Sequence, residues 1–417
     1  MLEKSLFGER LASGSGIEDL MDDLGRAMAG AHGRIRMLGG GNPAHIPEIQ
    51  AIWRERMAAI LADPPQFDRM MTNYDPPIGN AKFIAALAGL LRNEFGWEVG
   101  PENIAITAGG QTAFFFLFNL LAGEFRGGKR KVILLPLVPE YIGYMNQGLT
   151  PGFLRAMEPR LEFLPGHRFK YHVDFARLTV DEDVAAICVS RPTNPSGNVL
   201  TNEEVRRLSS VARSAGVPLI VDNAYGVPFP GILFRNVDPI WDDNIILTMS
   251  LSKLGLPNTR TGIVVARPEI IRAVASMTAI VGLANCAIGQ AIVLPLVESG
   301  EILRLAREVV RPFYQRKSQL AQAWIAEFFD EGLDYHVHVS EGALFLWLWF
   351  RGMKISAETL YGRLKDRGVL IVPGHYFGAS EDWRHGHECI RLSFAMDESS
   401  VREGIAILAE EVAKGYL

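Results

Sequence analysis

Cysteine is scarce in this chain of 417 residues, and its scarcity argues against two kinds of site. The three cysteines, Cys188, Cys286 and Cys389, lie far apart, and no two of them form a Cys-x-x-Cys pair. No histidine neighbours them at the spacing of a zinc motif either. An odd, sparse set of cysteines argues against a secreted disulfide framework and against a zinc site. We therefore expect three reduced thiols and no metal.

Signals for export, membranes and nucleic acids are also lacking. Residues 1–16 alternate charged and apolar side chains and contain no hydrophobic signal core. The most apolar runs, 113–122 and 343–350, are too short for a membrane span, which needs about 20 residues. The formal net charge is -5, and no run of lysine or arginine offers a surface for a polyanion. The sequence favours a cytoplasmic protein without a nucleic-acid or membrane partner.

The chain does contain an ordinary globular balance, with 48% hydrophobic and 21% charged residues. That balance and the length suit one large domain and one smaller domain. Short runs rich in Val, Ile and Leu are typical of strands buried on both faces of a mostly parallel sheet. These runs are residues 132–135, 184–189, 217–221, 245–249 and 262–266. Between two of them, Thr201 and Glu204 form a capping-box pattern at the start of a helix. Alternation of strands and helices indicates an α/β architecture.

The C-terminal third has a different pattern. Residues 302–328 have helical periodicity over a long span, and residues 335–394 alternate strand and helix patterns. We expect a large domain at 51–300 and a compact α+β domain at 301–417, which the N-terminal segment 1–50 joins.

Lys253 follows a predicted strand in the motif Ser250-Leu-Ser252-Lys253, and Arg260 comes seven residues later. A lysine after a strand is usually a solvated surface charge. A phosphate dianion, however, needs several short donors and a permanent cation, which the two serine hydroxyls and the guanidinium supply. These neighbouring residues make Lys253 a candidate for a site that binds a phosphate-containing ligand.

Two more polar residues, Asp222 and Asn194, follow predicted strands. Each has a structural alternative, a helix cap for Asp222 and a simple turn for Asn194. Parallel strands present their carboxyl ends at one edge of the sheet, where ligands bind, so we expect Asn194, Asp222 and Lys253 to project together. A carboxylate there can keep a pyridine nitrogen protonated. Asn194 and Tyr225 are candidates to form hydrogen bonds with a phenolic oxygen on the same ligand ring.

A glycine turn precedes an apolar helix pattern at 113–121, in the sequence Gly109-Gly110-Gln111. Backbone N–H groups at such a helix start form an anion site, although a mere tight turn is the plainer alternative. Tyr141, after the predicted strand 132–135, is either a ring that stacks on a flat cofactor or an ordinary loop aromatic.

Arg391 lies inside an otherwise apolar strand pattern near the C-terminus. Arginine is rarely buried without a partner. The alternatives are an internal ion pair and a bidentate clamp on a substrate carboxylate.

Taken in order, these motifs resemble the class I and class II aminotransferases of fold type I. The resemblance covers nearly the whole chain, from Gly39-Gly-Gly41-Asn-Pro43 through Tyr74 to Arg391. It implies a pyridoxal 5′-phosphate cofactor, a large domain with a mostly parallel seven-stranded sheet, and a smaller α+β domain formed by both chain ends. It also implies a homodimer that acts on an amino acid and a 2-oxo acid.

The same resemblance implies roles for individual residues. Lys253 is expected to be the catalytic residue, which forms the Schiff base and moves the proton. The expected cofactor-binding residues are Gly109, Gly110, Gln111, Tyr141, Asn194, Asp222, Tyr225, Ser250, Ser252, Lys253 and Arg260, with Tyr74 lent across the dimer interface. The expected substrate-binding residues are Arg391, Gly41 and Asn194.

Several longer segments, among them 222–230 and 250–257, narrow the resemblance to members that exchange an amino group between valine and pyruvate. Aminotransferases for other small apolar, aromatic or broad-range amino acids, or a β-lyase, would keep the same cofactor residues. A transcription regulator with this fold would need a DNA-binding module before residue 41, where no basic helix-turn-helix pattern is visible. A non-catalytic binding protein would have no reason to keep Lys253, Asp222 and Arg391 together. Arg191 and His375 depart from the family pattern, and their roles stay open.

Overall fold

The computed structural model describes residues 2–417 except 13, 15, 16, 19, 20, 24, 27–33 and 379–382. Part of the N-terminal segment that was predicted to join the small domain therefore lies outside the described residues.

The helices fall mainly before and between the strands and at the C-terminus. They are α1 Leu6–Leu11, α2 Pro47–Leu61, α3 Pro64–Thr72, α4 Ala81–Phe95, α5 Gly110–Leu121, α6 Asn202–Ser214, α7 Pro268–Gly282, α8 Ala287–Glu298, α9 Glu301–Leu305, α10 Arg311–Phe328, α11 Ala357–Asp366, α12 Arg384–His387 and α13 Glu398–Tyr416. In the described part of the chain, none of them has both the length and the apolar character of a membrane span.

The strands form two large sheets and one short pair. They are β1 Arg36–Met37, β2 Ile104–Thr107, β3 Gly123–Glu124, β4 Arg130–Leu135, β5 Leu154–Ala156, β6 Arg160–Leu164, β7 Arg168–His172, β8 Val184–Ser190, β9 Leu219–Asp222, β10 Ile245–Ser250, β11 Gly262–Val265, β12 Tyr335–His338, β13 Phe345–Phe350, β14 Val369–Leu370, β15 Val372–Pro373 and β16 Cys389–Ser393.

The larger sheet has the strand order β2-β11-β10-β9-β8-β4, and the short strands β3 and β5 pair with opposite ends of β4. Strand β11 is antiparallel to both of its neighbours, whereas β10, β9, β8, β4 and β5 are mutually parallel. The predicted mostly parallel sheet is confirmed. The sheet has eight strands, one more than the predicted seven.

The central strands are buried along their whole length, as their apolar composition predicts. Every residue of β8, β9 and β10 is buried. In the register of this sheet, Ser190 of β8 lies beside Asp222 of β9, which in turn lies beside Thr248 of β10. The carboxyl ends of three neighbouring strands therefore bring polar side chains to one edge of an otherwise apolar sheet.

The second sheet has the order β15-β16-β13-β12-β7-β6. The β6–β7 hairpin lies within the range predicted for the large domain, yet its strand β7 pairs with β12 of the C-terminal region. At the other end of the chain, β1 pairs in parallel with β14, so the N-terminal segment contacts the C-terminal region. The predicted domain limits themselves stay a prediction.

The long helix predicted at 302–328 is interrupted near its start. Helix α9 passes into a π-helical turn at Ala306–Val310 before α10 begins at Arg311. Pro312 gives the physical reason, because proline has no N–H to donate to the carbonyl of Glu308. The sequence pattern predicted the helical span correctly and missed the change of helix type.

Candidate active site

The candidate site lies at the carboxyl ends of β8, β9 and β10. Asp222 is the last residue of β9, Lys253 lies in a short turn just after β10, and Asn194 follows β8 by four residues. The prediction that these three side chains leave the same sheet edge is confirmed by the parallel pairing of the strands.

Lys253 lies half-buried, between the N-terminal segment and the ring of Tyr225. Its Nζ donates a hydrogen bond of 2.6 Å to the carbonyl of Gly41 and lies 5.2 Å from the centre of the Tyr225 ring. Burial lowers the pKa of Lys253 to about 8, and the nearby cations Arg391 and Arg260 lower it further than Asp222 raises it. A lysine with this pKa is mostly protonated near neutral pH, and the fraction that is neutral can act as a nucleophile.

Asp222 is a buried carboxylate with three hydrogen-bond donors. Its oxygens accept from Tyr144 Oη at 2.6 Å, from the backbone N–H of Ala224 at 3.0 Å and from Thr248 Oγ1 at 3.5 Å. Burial raises the pKa of Asp222 above its usual range, and the Tyr144 bond is the largest effect that lowers it. The donors therefore oppose the cost of keeping a charge in this apolar setting.

A hydrogen-bond network behind Asp222 was missed in the sequence. Tyr144 Oη lies 3.2 Å from Ser190 Oγ, and the Ser190 backbone N–H and hydroxyl both donate to the carboxyl of Glu140. Burial raises the pKa of Glu140 to about 8. The sequence analysis singled out Tyr141 instead of Tyr144, because only the folded loop shows which of the two tyrosines reaches Asp222.

The turn before α5 requires glycine at position 109. Gly109 has φ +88°, and a Cβ on it would overlap the guanidinium of Arg260. That guanidinium is exposed and bonds only to carbonyls, those of Pro257 at 3.1 Å and Ala108 at 3.4 Å. Its charge therefore lies against the N-terminus of α5 and forms no ion pair with a carboxylate of the described residues.

Strand pairing in the sheet places two serines next to this turn. Ser250 pairs with Gly262, which pairs with Thr107 just before the glycine turn. Ser250 Oγ lies 3.0 Å from Ser252 Oγ and accepts from the Ser252 N–H at 3.1 Å. Gln111 instead turns its amide toward the carbonyl of Gly143, at 3.2 Å. Hydroxyls, helix N–H groups and a guanidinium thus surround one region, as an anion site requires.

Arg391 extends from β16 toward Asn194. Its Nη1 donates to Asn194 Oδ1 at 2.9 Å and its Nη2 to the carbonyl of Gly39 at 2.7 Å. The guanidinium packs 4.1 Å from the ring centre of Phe345 and 5.1 Å from that of Phe377. Burial lowers its pKa to about 10, and Nε has no hydrogen-bond partner among the described residues. No described residue forms an ion pair with it, which argues against the internal salt bridge and leaves the carboxylate clamp.

The remaining predicted residues divide between the site and the surface. Tyr225 is buried, with its ring edge-on to Phe345 at 6.0 Å, and burial raises its pKa. The ring of Tyr141 lies 5.5 Å from that of Tyr144 at an interplanar angle of 88°. Tyr74 is 83% exposed, as a residue that reaches a second subunit would be in a single chain.

Arg191 has a structural role. Its guanidinium donates to Leu200 O, Asp238 O and Asn202 Oδ1 at 2.7–2.9 Å, and so ties the start of α6 to the loop around Asp238. This settles the question that the sequence left open for Arg191.

His375 lies 2.8 Å from a carboxylate oxygen of Glu358, and burial lowers its pKa.

The groups gathered here fit the cofactor that the family resemblance implies. An amine of lowered pKa, a buried carboxylate and an anion site made of hydroxyls, glycine N–H groups and a guanidinium match an aldehyde, a pyridine nitrogen and a phosphate. The Gly109 turn supports the match, because its missing side chain leaves the space that Arg260 fills.

Comparison with known proteins points the same way. The family model "Aminotransferase class I and II" matches residues 160–408. The chain is 46% identical to the valine–pyruvate aminotransferase of Escherichia coli (strain K12), over 99% of this chain and 98% of that protein. The crystal structure of valine-pyruvate aminotransferase from Salmonella typhimurium LT2 has a TM-score of 0.88 and 44% identity, over 96% of this chain and 99% of that one.

A more distant structure shows the same fold. Aspartate aminotransferase from Thermus thermophilus, solved with maleate, has a TM-score of 0.81 at 22% identity, over 99% of this chain and 100% of that one. At that identity the likeness concerns the fold alone, and it confirms the predicted fold type.

Gly109→Ala is expected to weaken cofactor binding roughly 10-fold or more, since its backbone region is nearly exclusive to glycine and strain there costs on the order of 1–3 kcal/mol. The added methyl would also displace Arg260. Titration of the cofactor-free protein with pyridoxal phosphate measures the effect. Gly110→Ala is the matched comparison, because a Cβ there meets nothing within 4 Å. Equal losses in the two variants would contradict the argument.

Tyr144→Phe is expected to move the acidic limb of the pH–rate profile to higher pH. The Tyr144 bond lowers the pKa of Asp222, so its loss raises that pKa further. Activity that requires the ionised carboxylate is then lost earlier as the pH falls. The rate of transamination across pH tests this, with Tyr335→Phe, a substitution in β12, as the control. An unchanged acidic limb in Tyr144→Phe would show that the bond does not tune Asp222.

Proposed function

This chain belongs to the class I and class II aminotransferases, which depend on pyridoxal 5′-phosphate, and we propose that it exchanges the amino group between valine and pyruvate. The products would be 3-methyl-2-oxobutanoate and alanine. The observation that carries the proposal is the 46% identity, over nearly the full length of both chains, with a valine–pyruvate aminotransferase.

We propose that Lys253, Asp222, Asn194 and Tyr225 hold the reactive part of the cofactor. When bound, pyridoxal phosphate supplies an electron sink for the charge that develops at the substrate Cα. Asp222 would keep the pyridine nitrogen protonated, which its three donors support by favouring the ionised carboxylate. Asn194 and Tyr225 would donate to the phenolic oxygen. Tyr141 would stack against the ring.

The phosphate would be held beside α5. Arg260 supplies the permanent cation, and the backbone N–H groups at the start of α5 and two hydroxyls supply short donors. The residues proposed for this site are Gly109, Gly110, Gln111, Ser250, Ser252 and Arg260. Tyr74 is proposed to reach the same phosphate from the partner subunit.

The substrate carboxylate would bind to Arg391. Among the described residues its guanidinium bonds only to neutral acceptors, Asn194 Oδ1 and the Gly39 carbonyl, so a carboxylate would gain charge-assisted hydrogen bonds. Gly41, whose carbonyl accepts from Lys253, would lie beside the bound substrate.

Lys253 would act as the acid and base at the substrate Cα. Because burial and two neighbouring cations lower its pKa to about 8, a useful fraction of the amine is neutral at physiological pH. The neutral amine would take the proton from the substrate Cα. The ammonium group so formed would then donate a proton to complete the transfer of the amino group.

The residues that this family shares say least about which amino acids are substrates. Arg391 reads a carboxylate that all amino acids possess, and one methylene in an apolar pocket changes the free energy by only about 1–3 kcal/mol. The alternatives are other small apolar, aromatic or broad-range amino acids, and a β-lyase reaction.

Cofactor-loaded protein is expected to convert valine and pyruvate into alanine and 3-methyl-2-oxobutanoate, measured by chromatography of both products. Lys253→Ala is expected to slow the reaction about 10²–10⁴-fold or more, since it removes the general acid and base. Isoleucine, 2-aminobutyrate, an aromatic amino acid and cystathionine serve as competing substrates under identical conditions. A higher kcat/KM with any of these than with valine would reject the valine–pyruvate assignment, whereas an unaffected Lys253→Ala variant would reject the role of the lysine.

We also propose that the protein is a cytoplasmic homodimer. The three cysteines are free thiols, which suits a reducing compartment. An apolar patch supports a dimer: Ile280 is 84% exposed, Val281 63% and Leu283 57%. The patch borders the segment of Tyr74, because Asn285 Nδ2 donates to the Pro77 carbonyl at 3.0 Å.

The double variant Ile280→Asp, Val281→Asp is expected to shift the protein from dimer to monomer, because charges would replace the apolar contact surface. Analytical ultracentrifugation measures the mass. Phe125→Asp, at another half-exposed apolar residue, is the control. A monomeric parent protein, or a variant of unchanged mass, would contradict an interface at this patch.

A further inference from the structure

A second cluster of ligand-type side chains lies outside the candidate active site. Glu358 is in the first turn of α11, His375 lies in the one-turn helix Gly374–Phe377, and His387 is the last residue of α12. One nitrogen or oxygen from each residue lies within 4.8 Å of the other two. Three separate elements therefore bring two imidazoles and one carboxylate together.

The two imidazoles lie equally close to the carboxylate, but only His387 forms a hydrogen bond with it, and Nδ1 of His375 is buried without a hydrogen-bond partner among the described residues. Nδ1 of His375 and Nδ1 of His387 each lie 2.8 Å from Glu358 Oε1. The rings are stacked, with planes 6° apart and centres 5.2 Å apart. Both Nδ1 atoms thus lie beside the same carboxylate oxygen.

These separations are close to those of a zinc ligand set. Bonds of about 2.0–2.2 Å at tetrahedral angles place neighbouring ligand atoms roughly 3.3 Å apart. The two nitrogen–oxygen separations of 2.8 Å would need to open by about half an ångström to admit the ion. Small rotations of three side chains can supply that movement.

The second carboxylate oxygen of Glu358 also favours a cation here. Glu358 Oε2 is shielded from solvent and has no hydrogen-bond partner in the part of the chain that the structure describes. Buried carboxylate oxygens are normally paired, and a cation between the three side chains would draw both oxygens into its coordination.

We propose that Glu358, His375 and His387 form a binding site for a divalent transition-metal ion, and that Zn²⁺ suits it best. Two imidazoles and a carboxylate are a common protein ligand set for zinc, whereas Mg²⁺ prefers oxygen ligands alone. A fourth position is left for water. The sequence predicted no metal, from the sparse cysteines and the lack of a histidine at zinc-motif spacing from them, and this proposal departs from that prediction with a site built from histidine and glutamate.

The ion would fasten the turn that supports the substrate clamp. The turn Gly374–Phe377 carries both His375 and Phe377, and the Phe377 ring lies 5.1 Å from the Arg391 guanidinium. The Phe377 carbonyl also accepts a hydrogen bond of 3.2 Å from the Glu140 N–H. The role is structural: a metal clip between α11, the turn and α12 would hold this wall of the site in place.

The test is metal binding to the cofactor-loaded protein after chelator treatment. We expect one equivalent of Zn²⁺ per chain by competition with a chromogenic chelator, a rise in Tm on its addition, and no effect of Mg²⁺. His375→Ala and His387→Ala are each expected to weaken Zn²⁺ binding about 100-fold or more, since even outer-shell changes cost 10–100-fold. Co²⁺ as a probe should give a ligand-field spectrum that both variants lose.

His172→Ala is the matched control, because His172 also contacts two carboxylates, Glu162 and Glu204, but through opposite ring nitrogens. Its partners cannot converge on one ion, so its affinity for Zn²⁺ should equal that of the parent. The cofactor absorbance is followed throughout, to separate this site from metal binding at the cofactor. Failure to bind stoichiometric Zn²⁺, or binding that survives both histidine substitutions, would overturn the proposal, and neither result bears on the substrate assignment.

Discussion

A carboxylate without a paired cation lies at the edge of the central sheet, and much of the site is arranged around it. Asp222 forms no ion pair with any described residue, and its charge is supported by Tyr144, the Ala224 N–H and Thr248. Tyr144 is itself fixed by apolar packing, since its ring lies 4.7 Å from that of Phe114 and 5.4 Å from that of Phe118. Close packing of α5 thus sets the hydrogen bond that favours an ionised Asp222. Glu140 is buried in the same network, and its raised pKa leaves it mostly neutral near pH 7, so two like charges are not forced together.

The two cations opposite this carboxylate are held by the N-terminal segment. Arg391 donates to the Gly39 carbonyl and Lys253 to the Gly41 carbonyl, so two positive charges share one short stretch of backbone. Their mutual repulsion contributes to the lowered pKa of Lys253. The same stretch is anchored to the second sheet, because the Ser393 N–H donates to the Leu38 carbonyl at 2.7 Å. Any movement of the small sheet relative to the large one would therefore reach both cations through residues 38–41.

Local sequence patterns predicted the buried strands and the polar residues that follow them, because the apolar run of a strand and the polar residue after it lie within a few residues of each other. Asn194, Asp222 and Lys253 were found in this way. Contacts between segments far apart in the sequence were not predictable: Tyr144, in the loop after β4, bonds to Asp222 at the end of β9. The β6–β7 hairpin likewise joins the C-terminal sheet through pairing that no local pattern specifies. Residues brought together from three separate elements, such as Glu358, His375 and His387, show no regular spacing in the sequence even when the elements are near one another in the chain.

The bond between Arg391 and Asn194 joins the two halves of the site. Arg391 comes from β16 of the second sheet, and Asn194 comes from the turn after β8 of the first. The Asn194 carbonyl oxygen accepts from the guanidinium, which leaves the amide N–H groups of the same side chain for a ligand on the other side. A buried guanidinium with one unsatisfied nitrogen is costly, and a substrate carboxylate bound as we propose would relieve that cost with charge-assisted bonds. Since every amino acid brings the same carboxylate, this energy fixes orientation and not identity. Discrimination must then come from the apolar surfaces beside the clamp, where Phe345 and Phe377 already pack against Arg391.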